Sequence, residues 1–104
     1  MTDSSTEWPF DQAPNVAAIT STHITRRGLP ILQVTHYEDD HSWGFQSGLA
    51  VTTEDGQVVA MREILTMDET VVEVADLLPG WSAERQMIGG EWKRTKDEWP
   101  DDED

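Results

Sequence analysis

The chain has 104 residues, enough for one domain, and a formal net charge of −14 from 21 acidic and 7 basic residues. That charge repels nucleic acid and anionic lipid, so neither is an expected partner, whereas a basic protein is. Cysteine is absent, which rules out disulfides, thiolate zinc sites and cysteine nucleophiles.

The chain opens with the small polar residues "MTDSSTEW" and closes with the acids of "KDEWPDDED". Neither end can bury enough apolar surface to offset the entropy of ordering it. The expectation is therefore a flexible lead over 1–7, one domain over 8–96 and a disordered acidic tail over 97–104. No basic region followed by an apolar run stands at the amino terminus, and no apolar run approaches a membrane span, so a cytoplasmic protein is expected.

In chain order, "WPFDQAPN" reads as an irregular lead-in, since its two prolines oppose helix, with Trp8 and Phe10 as anchors on the core. The β-branched run "VAAITSTHITRRG" predicts a strand, and Arg26-Arg27-Gly28 a turn. "LPILQVTHY" is the clearest strand, "EDDHS" a turn and "WGFQSG" its partner, with Trp43 and Phe45 on one face and a possible bulge at Gly44. Asp55-Gly56 marks a turn before Val58 and Val59. "MREILTM" fits either a helical turn or the end of that strand. Asp68 then caps a short helix whose apolar face holds Val71, Val74, Ala75 and Leu78, and Pro79-Gly80 stops it. "WSAERQMIGGEWKR" predicts two more strands around a tight Gly89-Gly90 hairpin. The sum is an α+β domain: an antiparallel sheet of about five strands with one short helix packed on one face.

The stretch "THYEDDHSWGFQSG" concentrates the residues that can carry chemistry. His36, Asp39, Asp40 and His41, with Glu38, supply both nitrogen and oxygen ligands. Their spacing matches no established metal loop, and Asp, Ser and Gly are ordinary turn residues, so a solvated turn is the favoured reading and a metal site the alternative. No serine sits in a nucleophile elbow, and Gly89-Gly90 lacks the lysine and helix of a phosphate loop. His23 reads as a core or edge histidine. No enzyme activity, metal or cofactor is therefore expected. Trp43 at the hairpin and Trp99 among the acids of the tail are the candidate partner-binding residues. The basic cluster Lys93, Arg94 and Lys96 lies directly before the acidic tail, which is expected to attract it.

The segments "NVAAIT", "LPILQVTHYEDDHSWGFQSG", "VVAMREILTMDETVVEVADLLPGWSAER" and "GGEW" together resemble a group of small uncharacterised bacterial proteins with a W-x-F-x-x-G strand and an L-P-x-G-W corner. This resemblance spans about residues 9 to 94. The middle third also resembles a family of unknown function grouped with bacterial immunity proteins, through Trp43, Phe45, Gly48 and Asp68; it lacks that family's fuller aromatic and glycine pattern around the turn. The second resemblance implies a toxin-neutralising partner. The expectation is a non-enzymatic protein-interaction module, immunity-like in that sense. The alternative is a small metal- or ligand-binding domain centred on 36–41. A free strand edge would also allow a homodimer.

Overall fold

A computed structural model describes residues 8–49, 52 and 54–97. Among them the elements run β1 (Ala17–Ser21), α1 (Thr22–Thr25), β2 (Gln33–His36), β3 (Trp43–Gln46), β4 (Gly56–Ala60), α2 (Met61–Met67), a 3₁₀ helix (Glu69–Val74), β5 (Trp81–Glu84) and β6 (Lys93–Lys96). The strands make one six-stranded sheet in the order β4-β1-β3-β2-β5-β6. Only β1 and β3 run parallel; every other neighbouring pair is antiparallel. The protein is thus α+β with a mostly antiparallel sheet, one strand larger than expected and with more than one helical segment. The expected lead 1–7 and residues 98–104 of the expected tail, Trp99 included, lie outside the described residues.

The hairpin of β2 and β3 sets the register. Val34 pairs with Phe45 and His36 with Trp43, so the period of two sends all four side chains to one face. The ladder runs unbroken through Thr35 and Gly44, so the bulge allowed at Gly44 does not form. Glycine is needed there for space: a Cβ would stand 3.1 Å from the Tyr37 ring, which lies over this position.

The long β-branched run beginning at Val16 does not stay extended. After Ser21 it makes one helical turn, and the amides of Arg26 and Arg27 both donate to the Thr22 carbonyl. The turn buries His23 and Ile24. "MREILTM" resolves as helix α2, burying Met61 and Ile64 at a spacing of three. Asp68 then caps the 3₁₀ helix, its carboxylate accepting from the Thr70 amide. These two helices carry the chain from β4 to β5 across three intervening strands and cover one sheet face. The core beneath them includes Phe10, Val34, Trp43, Phe45, Met61, Ile64, Val71 and Val74. Phe10 meets Trp43 edge-on at 4.9 Å, so the lead-in anchors as expected.

β5 and β6 form the final pair, but residues 85–92 join them in a loop longer than a tight hairpin, with Gly90 N donating to Met87 O inside it. β6 consists of Lys93, Arg94, Thr95 and Lys96, all exposed, and Arg94 pairs with Asp76 at 2.9 Å. Its charges guard that outer edge of the sheet. No helix among the described residues is long and apolar enough to cross a membrane.

Candidate functional site

The acidic turn is built as a turn. Tyr37 N donates to Ser42 O, and Ser42 N donates to Asp40 Oδ1 at 3.0 Å. Hydrogen bonds from the Ser42 hydroxyl, then from its amide, hold the Asp40 carboxyl below the ordinary carboxylate value. Asp39, Asp40 and His41 are exposed, and His41 takes a positive φ of 61°.

His36 points the other way, into the core. Its Nδ1 donates to the Leu77 carbonyl at 2.7 Å, which fixes the proton on that nitrogen. Its ring stacks on Trp43 at 4.0 Å, and Nε2 lies 3.1 Å from Asp11 Oδ2, off the line of a hydrogen bond. The other Asp11 oxygen accepts from Trp43 Nε1 at 2.8 Å. The histidine pair is therefore split between core and solvent, with ring centroids 5.9 Å apart. Among the described residues no three acidic or histidine side chains gather as metal ligands.

Trp43, the candidate partner-binding residue of the hairpin, is wholly buried. Its strand lies between β1 and β2, so the face carrying Trp43 is roofed by the helices. That assignment is corrected: Trp43 is a core residue with its one polar atom satisfied by Asp11. His23 is buried as well, and its Nδ1 finds no hydrogen-bond partner among the described residues.

An ion pair that the sequence did not reveal holds the far end of the core. The Arg85 guanidinium is buried and reaches Asp68 Oδ2 at 2.8 Å, Thr70 Oγ1 at 3.0 Å and the Ile31 carbonyl at 2.9 Å. It also lies 4.2 Å from the centroid of the Trp92 ring. Four of its five N–H donors are taken up by the protein itself, Nε also donating to the Ile31 carbonyl, so the pair is structural.

Beside it runs a groove. One concavity, about 320 Å³, is lined by Ile24, Leu29, Pro30, Ile31, Met67 and Ile88, among others. A second, about 360 Å³, is lined by Thr25, Gln57, Val59, Glu63, Thr66 and Met67. Thr25 and Met67 line both, so the two concavities adjoin along a surface running from the β4 edge, past the end of α2, to the loop after β5. Met67 at its centre is 42% exposed and Ile88 at its far rim 54%. Each element contributes for a local reason. Met67 ends α2, one turn beyond the buried Ile64, where the helix leaves the core. Ile88 stands in a glycine-bounded loop and cannot reach the core. The one sequence signal was "QMIGG": two apolar residues beside two glycines form neither strand face nor helix stripe.

The chain matches no protein-family model, no curated protein and no solved structure. The fold and the groove define an α+β domain with an open depression of mixed apolar and polar lining.

Proposed function

We propose that this protein is a non-enzymatic protein-interaction module and that the groove centred on Met67 is its docking surface. The half-exposed Met67, which lines both adjoining concavities, carries the reading. Methionine suits such a surface because its unbranched, polarisable side chain adapts to differently shaped partners. An apolar anchor residue of the partner seats beside Met67, where full burial of one such side chain is worth about 1.5–3 kcal/mol. The net charge of −14 steers a basic partner toward it. The resemblance to immunity proteins fits a partner to be neutralised. Trp43, Phe45 and Asp68, which carry that resemblance, are in the core or in the buried ion pair, so they speak for the fold and not for the partner.

Affinity capture with wild type and Met67→Glu tests this, at salt concentrations where the Debye length is about 30 Å and about 3 Å. A protein retained by wild type at low salt, weakened at high salt and lost with Met67→Glu is the expected result. Equal retention by both proteins, or none by wild type, refutes it.

A further inference from the structure

Next to the groove, β4 is an outer strand of the sheet, hydrogen-bonded among the described residues only to β1. Its register with β1 decides which of its backbone groups are free. Thr22 N donates to Asp55 O and Met61 N donates to Val16 O, so both of these flanking pairs are hydrogen-bonded. Alternation along an antiparallel ladder then makes Thr20–Gln57 and Ala18–Val59 hydrogen-bonded as well. The N–H and C=O groups of Gly56 and Val58 and the N–H of Ala60 point outward, away from β1, while the Ala60 carbonyl opens the hydrogen bonding of α2 as its N-cap. The strand Gly56–Ala60 carries no charge, whereas the opposite outer strand is Lys-Arg-Thr-Lys. The β4 edge thus lacks the charges that guard β6. Val58 is 66% exposed and its cross-strand neighbour Ile19 39%, on the sheet face away from the helices. Gln57 and Val59, on the other face, line the groove.

We propose that β4 accepts an extended segment of a basic partner protein as a seventh strand. This rests on the groove reading above, and it names what the partner presents. Successive side chains of an added strand alternate between faces. One set drops into the groove against Val59 and Met67; the other covers Val58 and Ile19. Main-chain hydrogen bonds to Gly56, Val58 and Ala60 supply the registration. Charge selects the occupant. With Asp68 already paired to Arg85, residues 54–69 contain the acids Glu54, Asp55, Glu63 and Glu69 against one base, Arg62, and Arg26 and Arg27 nearby offset only part of that. Glu63 lines the groove itself. A second copy of the chain would bring another −14 to this edge, whereas a lysine- or arginine-bearing strand relieves it.

The test is selection from a library of randomised short peptides displayed on phage, at low salt, against the full chain. Binding of the enriched peptides is then measured for wild type, Val58→Pro and Met67→Glu. Proline at 58 removes an outward N–H and leaves the β1–β4 ladder intact, as edge strands tolerate. The expected peptides alternate apolar residues with Lys or Arg, bind Val58→Pro at least about tenfold more weakly, and protect the amides of Gly56, Val58 and Ala60 from hydrogen exchange. As a second probe, the best peptide methylated on alternate backbone amides must bind wild type equally weakly. Peptides that bind Val58→Pro and wild type alike, while failing on Met67→Glu, overturn the strand addition and leave the groove standing. Enrichment of acidic sequences, or none, overturns the proposal. So does a wild-type dimer in sedimentation that Val58→Pro dissociates, because the edge then belongs to a second copy.

Discussion

Asp68→Ala removes the carboxylate paired with the Arg85 guanidinium. The two side chains are 0% and 9% exposed for Arg85 and Asp68 respectively, so solvent cannot replace the lost partner. Breaking a buried pair from one side costs about 3–5 kcal/mol, because an uncompensated charge stays behind. Asp68 also accepts from the Thr70 amide as cap of the 3₁₀ helix, which adds about 1 kcal/mol. The expected loss is about 4–6 kcal/mol, against a total of about 5–15 kcal/mol for a domain of this size. Urea unfolding followed by tryptophan fluorescence measures it, and Trp92 beside Arg85 places one reporter at the site. The double variant Asp68→Ala, Arg85→Met separates charge from cap. With no guanidinium left to strand, it should cost at least about 1.5 kcal/mol less than the two single changes added together. The reasoning fails if Asp68→Ala costs under about 1 kcal/mol, or if the single costs simply add.

Three further outcomes follow from other contacts. Burial, and then the Asp97 carboxylate, push the Tyr37 phenol above its ordinary value of 10.0. The unfolded chain therefore ionises first and stability falls as pH rises from about 10 toward the folded value. Tyr37 is the one tyrosine, so phenolate absorbance reports it alone, and a midpoint at or below the ordinary value contradicts the burial. The Thr52 backbone amide and then its hydroxyl, with His23 and Arg27 adding attraction, hold the Asp55 carboxyl low. That contribution is present above the unfolded value near 3.9 and is lost as pH falls through the folded one. Asp40→Asn with Asp55→Asn should flatten the decline of the thermal midpoint below about pH 4, and an unchanged acid limb counts against both hydrogen bonds. Gly44→Ala drives a methyl to 3.1 Å from the Tyr37 ring and should cost about 1–3 kcal/mol, partly recovered by adding Tyr37→Ala; a neutral result would mean that the ring moves aside freely.

Much of this architecture was legible in the local pattern. The alternation of Val34, His36, Trp43 and Phe45 around a polar turn defined the central hairpin, because a period of two leaves one face for the core. Asp68 before an apolar run marked a capped helix, a signal that depends only on neighbouring residues, but the segment is a 3₁₀ helix that closes at Val74, so Leu78 is exposed and Pro79-Gly80 lies beyond its end. Excess acid and the missing cysteines narrowed the chemistry without any fold at all. The neighbours in space were not legible. That β3 lies between β1 and β2 is a matter of strand order, and that order turned Trp43 from a surface candidate into core. The partnership of Arg85 with Asp68 joins positions seventeen apart that carry no shared periodicity. Likewise the groove gathers Leu29, Met67 and Ile88 from three separate segments, and β4 has a free edge because no described strand packs beyond it. Local sequence acts through the dihedral preferences and hydrogen bonds of adjacent residues; which surfaces stay open is fixed only when distant segments compete for the same core.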